Sequence, residues 1–172
     1  VPPTSPGLSG VTLANQTFPS SQPLVPTLII EQVTPAPATG LNQDHEHFVL
    51  RNPNNYAVDI SGWTIGGDIA MTFQGGTVIP AQGATTTQAT NSPYINQLIV
   101  ANKPAGIRTR LTAPMANQYR LVTGPYDHQL SARGGVITLN RPNNPLDATA
   151  GYTQVLSVPY TGTPTAHQDY LR

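Results

Sequence analysis

The sequence predicts an all-β protein, and three features support that prediction. Apolar, β-branched residues occur in short runs, and Gly, Pro and Asn turn signals separate these runs at the spacing typical of a sandwich. No window keeps a 3.6-residue apolar period, and the 18 prolines interrupt most candidate helices. A chain of 172 residues suits one domain that can bury a core without disulfides.

The predicted strands run from residue 28 to residue 160, each next to a turn signal. The first, 28–33, opens with a β-branched run, and the second, 46–52, stops at Asn52-Pro53-Asn54-Asn55. The third, 58–65, contains the only tryptophan, Trp63, after a Ser-Gly bend. The others are 71–73 and 77–79, split by Gly75-Gly76; 98–100, a buried-looking apolar run; 119–123, before Gly124-Pro125; 136–140, before Arg141-Pro142; and 154–160, which closes the sheet.

The chain divides into three predicted parts. Residues 1–27 form a Pro/Ser/Thr-rich extension, residues 28–165 form the domain, and residues 166–172 form a tail. Residues 84–118 are the least regular part of the domain and are interpreted as a long insertion that folds over one sheet end.

The extension contains a candidate assembly strand. Val11 and Leu13 fall on one face of an extended segment, which continues to Phe18. Two interpretations stay open: the segment is a linker, or it adds a strand to the sheet edge of another subunit.

The charge content separates this chain from most soluble domains. Only 9% of the residues are charged, against about 25% in a typical domain, and the net charge is zero. One lysine, Lys103, and a neutral total argue against nucleic acid or anionic lipid as a partner. Like-charge repulsion is also weak, which favours self-association. We therefore expect an exported chain whose surface meets other surfaces, with no membrane span because no run approaches about 18 apolar residues.

Four segments carry a resemblance to a known family. They are Glu46-His47-Phe48-Val49-Leu50-Arg51-Asn52-Pro53; Val58-Asp59-Ile60-Ser61-Gly62-Trp63-Thr64-Ile65; Phe73 with Gly76-Thr77-Val78-Ile79-Pro80-Ala81-Gln82-Gly83; and Gly124-Pro125-Tyr126 through Leu130-Ser131 to Gly134-Gly135-Val136-Ile137-Thr138-Leu139. In this order they resemble the lamin tail domain family. The resemblance implies an immunoglobulin-like β-sandwich of the type found on exported and surface proteins of bacteria. Its signature residues here would be Asp59, Ser61, Gly62 and Trp63.

Three of the four signature residues have a physical role to expect. Trp63 offers a large apolar plug between two sheets, with an indole N–H that needs a partner. Gly62 permits a bend, and the Asp59 carboxylate can accept hydrogen bonds from backbone N–H groups at that bend.

The only dense group of possible metal ligands is Asp44-His45-Glu46-His47. Two histidines at i and i+2 on a strand point to the same side, which suits a transition metal. A closed site needs about four ligands, and neither His128 nor His167 is near in sequence. We therefore predict no metal and no cofactor, with His45, His47 and Asp44 as weak candidates. Calcium at single loop carboxylates, such as Asp68 or Asp147, stays open.

Catalytic patterns are weak. Ser61, Asp127 and His128 are the residue types of a hydrolase triad, but no nucleophile-elbow motif surrounds any serine. We predict that the chain is not an enzyme and has no catalytic residue.

Two functions follow from these observations. The first is an extracellular structural subunit that assembles with itself by strand addition into an oligomer or filament. The alternative is a surface-displayed adhesion module for a glycan or another surface protein, with the ligand at loops 40–47 or 84–118. Nucleic acid is not an expected partner of either.

Overall fold

The computed structural model describes residues 23–35, 45–86, 94–110 and 121–161, together with 13–14, and gives only the backbone at 13, 14, 86 and 110. The strands are β1 (Leu13–Ala14), β2 (Ile29–Thr34), β3 (His47–Arg51), β4 (Val58–Asp59), β5 (Thr64–Gly67), β6 (Ile69–Thr72), β7 (Val78–Ile79), β8 (Thr85–Thr86), β9 (Gln97–Ala101), β10 (Leu121–Thr123), β11 (Asp127–His128), β12 (Gly134–Pro142) and β13 (Tyr152–Thr161). Helix α1 (Pro104–Arg110) and a 3-10 turn, Ala148–Ala150, complete the set. The predicted all-β class is confirmed.

Two sheets make up most of the fold. One has four strands in the order β10-β9-β3-β2, and the other has five in the order β11-β6-β5-β12-β13. Two smaller pairs, β4 with β7 and β1 with β8, lie outside them. Within the described ranges β9 and β10 pair in parallel, whereas the other ladders are antiparallel.

One apolar cluster joins the two sheets. The four-stranded side contributes Leu28, Ile30, Phe48, Leu50, Leu98, Val100 and Leu121, and the five-stranded side contributes Ile65, Ile69, Ile137, Leu139 and Tyr160. Trp63 and Phe73 belong to the same cluster. Since apolar burial is the largest favourable term in folding, this contact between sheets is the main source of stability.

The four-stranded sheet is covered on both faces, which explains its unbroken apolar strands. Phe48 and Leu50 face the five-stranded sheet, whereas Val49 between them packs with Ile107 of α1. Successive strand residues point to opposite faces, so a strand that is buried on both sides has no polar alternation. The run 98–100 has the same character and is confirmed as part of the central strand β9.

One predicted strand divides into two, and one helix occurs where none was predicted. Residues 58–65 form two strands, because the turn at Ser61 and Gly62 sends β4 to pair with β7 and β5 to pair with β6 and β12. Residues 104–110 form a helix although no helix was predicted there. Pro104 lies at its first position, where proline is tolerated, and packing of Ile107 on the sheet compensates for the weak helix formers beside it.

The described part of the predicted insertion 84–118 contains regular structure. Strand β9 lies between β3 and β10 in the middle of the four-stranded sheet, and α1 follows it on the outer face. A segment interpreted as a cover for one sheet end thus also supplies a central strand. Among the described helices, none has the length and apolar character needed to cross a membrane.

A candidate binding groove

Three segments of the chain meet at an open groove of about 420 Å³. They are the end of the N-terminal extension at residues 23–24, the turn between β4 and β5, and the end of β12 with the loop after it. The lining residues are Pro23, Leu24, Asp59, Ser61, Trp63, Arg141, Pro142, Asn143 and Pro145. The groove therefore includes three of the four residues singled out as a fold signature.

Hydrogen bonds hold the turn that forms one wall. The Asp59 carboxylate accepts from the Ser61 N–H at 2.9 Å and from the Ser61 hydroxyl. The Ser61 Oγ in turn accepts from the Gly76 N–H at 2.8 Å, which joins this turn to the next one. Gly62 has a φ of +75°, and its N–H donates to the Phe73 carbonyl at 3.0 Å. A side chain other than glycine would be strained there, so the Ser-Gly bend seen in the sequence has a backbone cause.

Trp63 lies at the base of this wall and is only 4% exposed. It belongs to the core cluster between the sheets, as expected for a large apolar plug. Its indole N–H makes no hydrogen bond to any residue in the described ranges.

The opposite wall is the connection between β12 and β13. The Asn143 amide donates to the Ala150 carbonyl at 2.9 Å, and the Asn143 backbone N–H donates to Gly151 at 2.9 Å. Asp147 caps the 3-10 turn by accepting from the Thr149 hydroxyl and backbone N–H, and these hydrogen bonds lower the pKa of the Asp147 carboxyl. The loop is therefore closed by its own hydrogen bonds.

Arg141 is the positive group of the groove. Its Nη1 donates to the Pro142 carbonyl at 3.2 Å, and its Nε is buried without a hydrogen bond. Within the described ranges the ion pair is Arg51 with Glu31, at 3.1 Å, and it does not involve Arg141. Apart from this one bond, the N–H donors of the guanidinium have no acceptor among the described residues.

Exposed apolar side chains occur in the groove lining or next to lining residues in sequence or strand register. Among the described residues the large exposed ones are Leu24 (69%), Val25 (58%), Leu146 (95%) and Tyr152 (45%). Leu24 lines the groove, Val25 and Leu146 follow lining residues in sequence, and Tyr152 pairs with Pro142 across β12 and β13. Exposed apolar residues that concentrate at one place indicate an interaction surface.

The weak metal candidates are used in other ways. His47 is 1% exposed, and its Nδ1 lies 2.7 Å from the His45 carbonyl, to which it donates. Asp44 lies outside the described residues. Asp68, considered for calcium, accepts from the Tyr160 hydroxyl at 2.6 Å and from the Val136 N–H at 3.2 Å. In the described part of the chain no three His, Asp or Glu residues are grouped to hold a metal ion.

Glu46 has a role that the sequence pattern did not reveal. It is fully buried, and its Oε1 accepts from the Tyr126 hydroxyl at 2.7 Å and the Leu130 N–H at 2.8 Å. Burial, and then the Glu46 charge, raises the pKa of Tyr126 well above its usual range. The only signal was an acidic residue at the head of a strongly apolar strand, which also fits a solvated strand end.

The structure does not join the three triad residue types. The Ser61 hydroxyl is engaged by Asp59 and Gly76, whereas Asp127 and His128 form the edge strand β11. The His128 carbonyl accepts from the Asn102 amide at 3.0 Å.

One residue of the candidate assembly strand can be placed. Leu13 lies in β1 and pairs with Thr86 of β8, and Ala14 pairs with Thr85, in antiparallel register. Val11 and Phe18 lie outside the described residues.

Comparison with known proteins leaves these observations to stand alone. No protein-family model matches the chain, and no curated protein matches it.

Proposed function

We propose that this chain is a non-catalytic structural subunit that assembles with copies of itself by exchange of the strand at residues 13–14. The observation that carries the proposal is the pairing of β1 with β8. Residues 15–22 separate β1 from the domain, so β1 can pair with β8 of its own chain or of another. Both arrangements form the same backbone hydrogen bonds, and exchange of an identical element costs little.

Exchange of this kind can close as a reciprocal dimer, and we propose the head-to-tail form. Each copy gives its strand to one neighbour and receives a strand from another, so the assembly closes as a ring or grows as a filament. Main-chain hydrogen bonds supply affinity, and the side chains set the register.

The edges of the main sheets favour this route over sheet-to-sheet pairing. Strand β13 is a ten-residue edge strand without a charged side chain, but it carries Pro159 and a register shift opposite Leu139/Asn140. The Val136 N–H and C=O both bond to Asp68, so Pro159, opposite Val136, presents its nitrogen to the open edge. Bulges and edge prolines are devices that block edge pairing.

The other long edge is protected as well. Strand β2 has a register shift between Glu31 and Thr34, and Gln32 within it has a φ of 52°. Such a residue breaks the flat ladder that an added strand needs. Strand addition at β8 therefore meets less opposition than pairing along β2 or β13.

We place the assembly outside the cell, on a lamin-tail-like immunoglobulin sandwich of bacterial type. The 9% charged residues and the neutral total support a surface built for contact with other surfaces. The core shared by two sheets and the hydrogen-bonded turn at Asp59 and Ser61 support the family assignment. Nucleic acid remains an unexpected partner because the net charge is zero.

The test compares the full chain with a variant that lacks residues 1–22, by light scattering over a range of concentrations and by electron microscopy. We expect oligomers or filaments from the full chain and folded monomers from the truncated one. Ala14→Pro removes a backbone donor from β1 and should also give monomers, whereas Ala14→Val, the matched control, should assemble. A full chain that stays monomeric at every concentration, or a truncated chain that still assembles, contradicts the proposal.

A second candidate function is a surface-displayed binding module for a protein or glycan. The groove at Trp63 and Arg141, with exposed apolar residues around it, is the observation that favours it. None of the described residues that line the groove belongs to the ranges 40–47 and 84–118, in which the sequence predicted the ligand site.

A further inference from the structure

We infer that the groove at Trp63 and Arg141 binds an extended peptide segment in which one carboxylate stands beside aliphatic side chains. The inference rests on the binding role given as the second candidate function and is independent of strand exchange. It follows from which polar groups of the groove are already paired, and from the kind of apolar surface between them.

The groove has spare donors and few spare acceptors. Asn143 uses its amide N–H on Ala150 and its side-chain oxygen on Thr153, and Ser61 uses its hydroxyl on Asp59 and Gly76. By contrast, the Arg141 guanidinium donates one hydrogen bond, to its neighbouring carbonyl. A ligand that fits this inventory supplies acceptor oxygens, and a carboxylate matches the planar fork of a guanidinium.

The charge of Asp59 selects the kind of anion. This carboxylate lines the same groove and is exposed, so it repels a doubly charged group more strongly than a singly charged one. Because Asp59 offsets the charge of Arg141, a doubly charged group gains little extra attraction and costs more to desolvate, so a monoanionic carboxylate is favoured over phosphate or sulfate.

The apolar lining selects the body of the ligand. It is aliphatic, formed by Leu24 and three prolines, and Trp63 is too deeply buried to offer an open ring face. Aliphatic side chains of a peptide fill such a surface, whereas a sugar ring would find no open aromatic face among the residues that line the groove. The exposed Leu146 and Tyr152 extend the apolar contact beyond the groove.

The probe for binding is built into the chain, because Trp63 is the only tryptophan. The full chain is titrated with a capped hexapeptide in which one glutamate is flanked by leucine and valine, and Trp63 emission is followed. The same peptide with glutamine is the matched ligand control. We expect a saturable change with the glutamate peptide and at least about tenfold weaker binding of the glutamine peptide.

Two variants locate the site. Arg141→Gln should weaken binding at least about tenfold, whereas Arg133→Gln, which removes the same charge from another loop, should leave it unchanged. Leu24→Asp places a second carboxylate in the groove at a highly exposed position, so it should weaken binding while the melting temperature stays the same. If Arg141→Gln lowers stability, Leu24→Asp still tests whether the peptide binds in the groove.

Three results would overturn the inference. They are no emission change up to about 1 mM peptide, equal binding of both peptides, or equal binding by inorganic phosphate. Binding of an oligouronide with no binding of the peptide would also overturn it and would direct the second candidate toward glycans. Because emission of Trp63 reports on the groove and scattering reports on assembly, failure of one proposal is distinguishable from failure of the other.

Discussion

The side-chain amide of Asn52 donates a hydrogen bond to the Ile79 carbonyl at 3.1 Å, across 27 residues of sequence. The same amide donates to the carbonyls of Tyr56 at 2.8 Å and Pro80 at 3.1 Å, and the Asn52 side-chain oxygen accepts from the Asn54 backbone N–H at 2.9 Å. Asn52 is fully buried, so one side chain satisfies backbone groups from two separate turns.

Asn52→Ala should therefore destabilise the protein by about 3 kcal/mol, because it removes the side-chain donor shared by three backbone carbonyls. Denaturant unfolding measures the loss. Asn55→Ala, an exposed position in the same turn, is the control and should change the free energy of unfolding by less than about 0.5 kcal/mol. Equal effects of the two substitutions on the free energy of unfolding would show that the hydrogen bonds of the Asn52 side chain do not stabilise the fold.

Asn52 also shows how far the sequence reaches. The run Asn52-Pro53-Asn54-Asn55 correctly predicts the end of a strand, since turn chemistry is local. It does not predict burial of Asn52, because the Ile79 and Pro80 carbonyls come from a part of the chain that no local pattern connects to it. The same limit explains α1, whose Ile107 is stabilised by Val49 and Ile99 of the sheet beneath it.

The groove was only partly predictable for a similar reason. The turn at Asp59, Ser61 and Gly62 has a sequence signature because its hydrogen bonds are local. The sequence pattern assigned Arg141 to a turn, but Arg141 lies in β12, which continues to Pro142. This strand brings Arg141 to the same groove as the turn at Asp59 and Ser61. Register between distant strands decides this meeting, and sequence periodicity carries no information about it.

Gly135→Ala should destabilise the protein by about 1–3 kcal/mol through overpacking. A Cβ atom at Gly135 would overlap the Asp68 carboxylate, which already accepts from Tyr160 and Val136 and cannot move away freely. Gly75→Ala is the matched control, since a Cβ atom there meets nothing within 4 Å. Thermal melts of both variants check the prediction, and a Gly135→Ala protein as stable as Gly75→Ala would contradict it.

Tyr160→Phe should flatten the alkaline loss of stability. Burial, and then the hydrogen bond to Asp68, raises the pKa of Tyr160 from 10.0 to about 12. A raised folded pKa means that the protonated phenol stabilises the fold, so this contribution is complete below pH 10 and is lost as pH rises toward about 12. The variant should be less stable than the parent below pH 10, because the Ser131 N–H and Asp68 lose their partner, and the gap should narrow above it.

Urea unfolding across this pH window measures the gap. Tyr126 remains in both proteins, and burial and the Glu46 charge, the main causes of its raised pKa, are unchanged, so the difference between the two curves comes mainly from Tyr160. Tyr152→Phe, at an exposed position, should give a curve parallel to the parent. A constant gap between Tyr160→Phe and the parent would contradict the assignment.

Glu46→Gln should lower the pKa of Tyr126 toward its ordinary value while keeping the fold. The amide oxygen can still accept from the Tyr126 hydroxyl and the Leu130 N–H, but the negative charge that disfavours a tyrosinate is gone. Burial, the larger cause, is unchanged, so the pKa stays above normal. Glu46→Ala removes the acceptor as well and should cost about 3 kcal/mol. Ultraviolet titration of tyrosinate measures the pKa, and denaturant unfolding measures the stability. A Glu46→Gln protein as unstable as Glu46→Ala would show that the negative charge of Glu46 is itself required for stability.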